Sequence, residues 1–251
     1  MIKQDQQLQV LQWDSEFFGR KMGRILIDPQ TEAMDSVPAW ERLIAQARAE
    51  QYEFLFYEFD AADKRLAHLL TPLGGALADV LVKLAKPVGP AAAPQRETGS
   101  PVQAAAESDL AAMIELASHS FTHSRFFHDP GFDKELVNQL YPNWVRNNFA
   151  GNEAYFVIKD RQSLQAFISV QPKPLPAALD IRLLAVQPAA QGQGLGSALL
   201  RWTEQYGRSQ GLKRITVGTQ INNYAALRLY EKNGFRVEQA LYRYHFWLNS
   251  K

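Results

Sequence analysis

The chain has 251 residues, 46% of them hydrophobic, and 27 Lys and Arg against 26 Asp and Glu leave a formal net charge of +1. So balanced a surface supplies no field to recruit nucleic acid or an anionic membrane, and neither is expected as a partner. With no cysteine, disulfides, thiolate zinc sites and a cysteine nucleophile are all excluded. That composition fits a reducing cytoplasm, the expected location.

Met1 to Gln12 is polar and has no apolar core, so no signal peptide is expected. No apolar run approaches a bilayer span, and the richest stretches carry charges such as Lys83 and Lys86. Glu53 to Phe59 reads as a strand, Asp63 to Leu70 as a helix stopped at Gly74, and Ala76 to Leu84 as a second strand. Pro87, Pro90, Pro94 and Pro101 then fall among small and polar residues, the composition of a linker. The expected domains are 1–90 and 102–251, with 91–101 between them.

After the linker, Val102 to Ala106 reads as a strand, and Ser108 or Asp109 caps a helix running through His119. Lys134 to Phe149 is a second helix with Leu136, Leu140, Trp144 and Val145 on one face. Ala154 to Lys159 and Leu164 to Gln171 form a hairpin turning at Asp160-Arg161. A strand from Leu179 to Val186, a helix from Ser197 to Ser209 and a strand from Ile215 to Thr219 follow. A helix from about Asn223 to Lys232 and two closing strands within Phe235 to Trp247 complete the order.

Between the strand ending at Val186 and the next helix lies Gln191-Gly192-Gln193-Gly194-Leu195-Gly196. Three glycines at alternate positions leave no Cβ in a ligand's way, and the backbone N–H groups can converge at a positive helix N-terminus, a geometry that holds a pyrophosphate. A dinucleotide loop of the Rossmann type wants an acidic residue about 20 positions on, where this chain has Lys213, Arg214 and Ile215. A kinase-type P-loop wants Gly-Lys-Ser/Thr, and Leu195-Gly196-Ser197 lacks the lysine. A flexible strand-to-helix turn remains the plain alternative for the hexapeptide alone.

Gln191, Gly194 and Gly196 match the Gln/Arg-x-x-Gly-x-Gly/Ala motif of the GCN5-related N-acetyltransferase (GNAT) superfamily. Downstream, Asn223, Ala226, Leu229, Tyr230, Gly234 and Phe235 match its Asn-x-x-Ala-x-x-x-Tyr-x-x-x-Gly-Phe signature. Residues 102 to 251 thus resemble that superfamily. The resemblance implies an α/β (α+β) fold, a mixed twisted central sheet flanked by helices. It also implies an acetyltransferase that takes acetyl-CoA as donor and needs no metal. In such an enzyme Gln191, Gly192, Gln193, Gly194, Leu195, Gly196 and Ser197 hold the pyrophosphate. Leu184, Ala185 and Val186 align the pantetheine, Asn223 bonds to it or to a water, and Tyr230 protonates the departing sulfur.

Shifted by about 160 positions, Gly74 falls on Gly234, Leu69 on Leu229, Leu77 on Val237, and Leu70 on Tyr230. The N-terminal part therefore reads as a truncated, non-catalytic GNAT-like half-domain without its own CoA loop, or as a generic β-α-β unit. No base is evident; Asp180, Glu107 and Glu153 are available carboxylates, each expected as a solvated surface charge. His119, His123 and His128 stand close in sequence, but Asp129-Pro130 breaks the helix and no metal is expected.

Two stretches, Leu11 to Arg20 and Phe121 to Phe126, resemble the acetyltransferases acting on a dTDP-linked 4-amino-4,6-dideoxy-galactose, whose product feeds enterobacterial common antigen. Tyr242 to Leu248 resembles relatives of that group. The resemblance implies a small-molecule amine acceptor on a nucleotide sugar, with Phe121, Ser124 and Arg125 in contact with it: aromatics stack on sugar or base, and Arg pairs with phosphate. A peptide, polyamine or antibiotic amine, or a non-catalytic acyl-CoA sensor, stays open. The aromatic last strand suits pairing across a homodimer.

Overall fold

A computed structural model describes residues 7–27, 36–89, 101–174 and 177–248. Contacts divide the chain into two compact units. Unit 1 comprises Met1–Leu81, Ser124–Leu136 and Gln239–Lys251; unit 2 comprises Val82–His123 and Val137–Glu238. Most of the expected linker, residues 91–100, lies outside the described residues.

Unit 1 carries β1 (Leu8–Val10), α1 (Gln12–Phe18), β2 (Met22–Ile25), α2 (Val37–Ala49), β3 (Phe54–Asp60), α3 (Lys64–Leu70) and the start of β4 (Gly75–Pro87). Its β2 pairs antiparallel with β1 and parallel with β3. Most of the last strand, β10 (Arg236–Trp247), also belongs here and runs antiparallel to β3, with Tyr244 opposite Tyr57. Trp40, Leu43, Ile44 and Ala47 recur at helical spacing along α2 and bury against Leu55, Tyr57 and Phe59 of β3. Asp63 caps α3 by accepting the Leu66 N–H, and Gly74, at φ +88°, closes the 3-10 turn Thr71–Leu73 that follows the helix.

Unit 2 carries β5 (Gln103–Ala104), α4 (Leu110–Ser120), β6 (Ala154–Asp160), β7 (Ser163–Lys173), β8 (Ala178–Val186), α7 (Leu195–Ser209), β9 (Arg214–Gln220) and α8 (Tyr224–Lys232). Between α4 and β6 run the one-turn α5 (Arg125–His128), which belongs to unit 1, and α6 (Lys134–Phe149), of which Val137 onward belongs to unit 2. The strands lie in the order β5-β6-β7-β8-β9, antiparallel except for the parallel pair β8–β9. Arg161 turns the β6–β7 hairpin at φ +54°.

Two apolar layers enclose these strands. On one face Leu179 and Ile181 pack with Leu199 and Leu200 of α7, Tyr230 and Phe235. On the other, Leu183 and Ala185 pack with Met113, Leu116 and Ala117 of α4 and Val145 of α6. The result is the expected mixed sheet with flanking helices. The expected pair of closing strands is instead one strand, Arg236–Trp247, which pairs with β3 from Leu241 to Trp247. Among the described residues no helix is long and apolar enough to cross a membrane.

Candidate active site

Gln191 to Gly194 form the exposed turn before α7, and Leu195 and Gly196 are the first residues of that helix. Gly192 and Gly194 have φ of +78° and +83°, which side-chain-bearing residues rarely adopt, and open space lies where their Cβ atoms would point. Gly194 is the N-cap of α7 and makes no side-chain cap bond, so the first-turn amides of the helix find no capping side chain. Gln191 Nε2 donates to the Val186 carbonyl and Gln193 Nε2 to the Ala189 carbonyl, both at 3.3 Å, bracing the loop. Gly196 has a different reason to be glycine: a Cβ there would meet Leu229 at 3.0 Å.

The strand leading into this loop is open along one edge. Among the described residues, β8 pairs with β9 only from Leu179↔Ile215 to Ile181↔Val217, whereas its pairing with β7 continues to Val186. Leu184 to Val186 therefore present backbone groups on the β9 side with no strand partner, directly before the glycine turn. That edge can accept an extended amide chain as an added strand.

Tyr230, on α8, is buried on the α7 face beside Phe235, with ring centroids 5.5 Å apart. Burial raises the pKa of its hydroxyl well above the ordinary tyrosine range. Asn223 Oδ1 caps α8 by accepting the Ala226 N–H at 3.2 Å. Ser197 Oγ accepts from Asn233 Nδ2 at 2.9 Å.

On the α4–α6 face, the same stretch of β8 carries charge. Asp180 and Glu153, expected as solvated, are buried at 7% and 8% exposure; Glu107 is exposed. The correction has a cause in pairing: Asp180 sits opposite Thr216 of β9, whose hydroxyl donates to Asp180 Oδ1 at 2.7 Å. Arg182 Nη1 and Lys173 Nζ reach Asp180 Oδ2 at 3.1 and 2.7 Å. Glu153 accepts from Trp144 Nε1 at 3.2 Å and from the Tyr155 hydroxyl at 3.1 Å. Arg182, Tyr155, Thr216 and Lys173 carry no expected role in the sequence, although two charges inside an otherwise apolar strand were a visible signal; Trp144 is expected there on the apolar face of its helix.

The remaining expected contacts fall in different places. Phe121, in unit 2, packs on Tyr141 with centroids 4.7 Å apart. Arg125, in unit 1, lies between the rings of Phe56 and Phe126, 4.0 and 4.2 Å from their centroids, and reaches His245 Nε2 at 3.1 Å. Ser124 is buried, and its hydroxyl makes no hydrogen bond among the described residues. Among those residues no three His, Asp or Glu side chains are grouped to hold a metal ion.

A family model described as "Acetyltransferase (GNAT) family" matches residues 110–235. The spore coat polysaccharide biosynthesis protein SpsD of Bacillus subtilis is 28% identical over 94% of this chain and 81% of its own length. The dTDP-fucosamine acetyltransferase of Escherichia coli O6:H1 is 27% identical over 94% of this chain and 96% of its own. In fold, a functionally unknown conserved protein from Staphylococcus epidermidis is similar, with a TM-score of 0.69 at 12% identity over 98% of this chain and 93% of that one. A GCN5-related N-acetyltransferase from Sphaerobacter thermophilus gives 0.67 at 15% identity over 97% and 76%.

Proposed function

Since the chain belongs to the GNAT acetyltransferase family, we propose that it moves acetyl from acetyl-CoA to the amine of a nucleotide-linked amino sugar. The family makes it an acetyl-transferring enzyme with acetyl-CoA as donor. The acceptor in this reading is dTDP-4-amino-4,6-dideoxy-D-galactose. Supporting it are two relatives, one named for polysaccharide biosynthesis and one for dTDP-fucosamine acetylation, each matched along 94% of this chain.

The observation that carries the donor side is the open edge of β8 running into the glycine turn. Backbone N–H groups of Gln191 to Ser197 would hold the pyrophosphate, Leu184 to Val186 would align the pantetheine, and Asn223 Nδ2 would donate to it. One backbone N–H of that strand would polarise the acetyl carbonyl. The acceptor nitrogen attacks the carbonyl carbon, the carbon–sulfur bond breaks, and Tyr230 returns a proton to the thiolate. Burial keeps Tyr230 protonated where the amine is free, as an acid needs. We assign Asp180, the buried carboxylate where β8 and β9 part, as the group that receives the ammonium proton. Acceptor contact by Phe121, Ser124 and Arg125 belongs to the same proposal.

The stretch from β3 to β4 is, in this reading, a GNAT-like half-domain that has lost catalysis. Asp63 and Asn223 cap their helices alike, 160 positions apart, and Gly74 and Gly234 stand in the turns beyond them at φ +88° and +86°.

Thiol release from acetyl-CoA tests the function. The panel holds the dTDP-4-amino-galactose compound, its glucose epimer, a UDP-amino sugar, a polyamine and a short peptide. Turnover with the first alone is the expected result. Turnover only with the polyamine or peptide would sink the sugar reading and keep acetyl transfer. Silence with acetyl-CoA still bound would sink turnover of these amines.

A further inference from the structure

The two faces of β8 differ in chemistry. The glycine turn leads into α7, and α7 packs on the face bearing Leu179 and Ile181. The other face, under α4 and α6, carries Asp180 and Arg182 at the point where β8 leaves β9. A thioester held along the open edge of β8 leaves its carbonyl open to attack from this second face, and an amine arriving there meets these groups. This step rests on the acetyl-transfer reading.

Arg182 is placed there by a device. The β7–β8 register shifts between Ser169↔Leu183 and Val170↔Ile181, leaving Arg182 as the extra residue of a β-bulge. Bulges re-aim single side chains beside active sites. Three further contacts then hold the guanidinium: Asp180 Oδ2 at 3.1 Å, Glu153 Oε1 3.7 Å from Nε, and the Trp144 ring with its centroid 5.0 Å away. Glu153 is itself fixed by Trp144 and Tyr155, and its side chain is only 3% exposed. A buried carboxylate is costly unless paired, and its cation here is Arg182. Yet Arg182 keeps 29% of its side chain exposed.

Beside it, Lys173 Nζ rests on Asp180 Oδ2 at 2.7 Å while 44% of the lysine side chain is exposed. An ammonium already sits on this carboxylate and can be exchanged for another. Asp180 and Arg182 therefore present an ammonium acceptor and a guanidinium donor side by side, the complement of an amine with a hydroxyl on the neighbouring carbon. A simple polyamine, or a peptide whose first residue is neither Ser nor Thr, offers no such hydroxyl oxygen.

We propose that Asp180 and Arg182 form an acceptor subsite for a vicinal amino alcohol, with Arg182 as the specificity-determining residue and Glu153 as the positioning residue that holds it. Arg182 donates to the hydroxyl oxygen next to the amine that Asp180 receives.

The test uses two nucleotide-linked amino sugars that differ only in having a hydroxyl or a hydrogen on the carbon beside the amine. The wild type favours the hydroxylated sugar in kcat/KM by at least about tenfold, the scale of one hydrogen bond to a charged group. Arg182→Met brings the ratio close to one, Arg182→Lys leaves it intermediate, and Glu153→Gln lowers it through Arg182; the KM for acetyl-CoA stays within about twofold in each. Arg182→Lys keeps the question answerable if the methionine variant melts early. A wild type with no preference, or an Arg182→Met enzyme that keeps the preference, overturns the proposal. If neither sugar releases thiol, the nucleotide-sugar acceptor reading has failed, and calorimetric titration of the same two sugars into wild type and variants reads the discrimination without turnover.

Discussion

His245 donates its Nδ1 hydrogen to the Asp129 carboxylate at 2.5 Å while its Nε2 accepts from the Arg125 guanidinium at 3.1 Å. An arginine only donates, so this pair of bonds requires a neutral imidazole with its proton on Nδ1. Burial, opposed by the Asp129 bond and aided by the charges of Arg125 and Arg243, takes the histidine down to about 4. Asp129, which also accepts from Trp247 Nε1 and the Gly131 N–H, is held below its usual range.

Acid stability follows from this contact. The unfolded histidine titrates near 6.5, so between that pH and about 4 the unfolded chain binds the extra proton. The stabilisation is fully present above pH 6.5 and is lost as pH falls through about 4; Asp129 acts in the same direction below the ordinary aspartate value of 3.8. Denaturant unfolding at pH 7 and pH 4 should differ by about 3 kcal/mol from His245. In Asp129→Asn the Trp247 and Gly131 donors keep an acceptor but the charged one is gone, and stability at pH 7 should fall by roughly 1–3 kcal/mol. Equal stability of the two proteins across this range would remove the network from the account.

Tyr230→Phe separates chemistry from binding. Turnover should drop by about 10²–10⁴-fold, the usual weight of a general acid, with acetyl-CoA affinity nearly unchanged. Because burial raises the hydroxyl's pKa, the wild-type rate should show no alkaline decline from this group up to about pH 10. A variant that turns over like the wild type would dismiss the acid role.

Gly194 and Gly196 should fail in different ways. At φ +83° with open space beyond, Gly194→Val strains the turn and places methyl groups where the pyrophosphate would sit. Acetyl-CoA binding should weaken by at least about a hundredfold, with a strain cost of only about 1–2 kcal/mol. Gly196→Val instead drives atoms into Leu229, already 3.0 Å from the added Cβ, and should cost about 1–3 kcal/mol of stability. Titration calorimetry and chemical unfolding on both variants check the contrast; unchanged binding in Gly194→Val would reject the pyrophosphate loop.

The sequence by itself determined the elements whose signals are local. The cap at Asn223, the left-handed stop at Gly234 and the glycines before α7 depend on φ, ψ and side chains within a few residues, so their chemistry is written in the string. The Lys134–Phe149 helix likewise shows in its apolar period. Asp63 and Gly74 repeat the first two signals 160 positions earlier for the same reason. Only the tertiary structure decided the fate of the carboxylates. Asp180 is buried because β8 sets it opposite Thr216, and Glu153 because α6 brings Trp144 over it. Neither partner is a sequence neighbour, and a charge becomes affordable in an interior only when such distant donors arrive. The single closing strand was likewise decided non-locally, by β3 pairing with β10 from Leu241 to Trp247. Hydrogen bonds between segments more than 180 residues apart leave no mark on either segment alone.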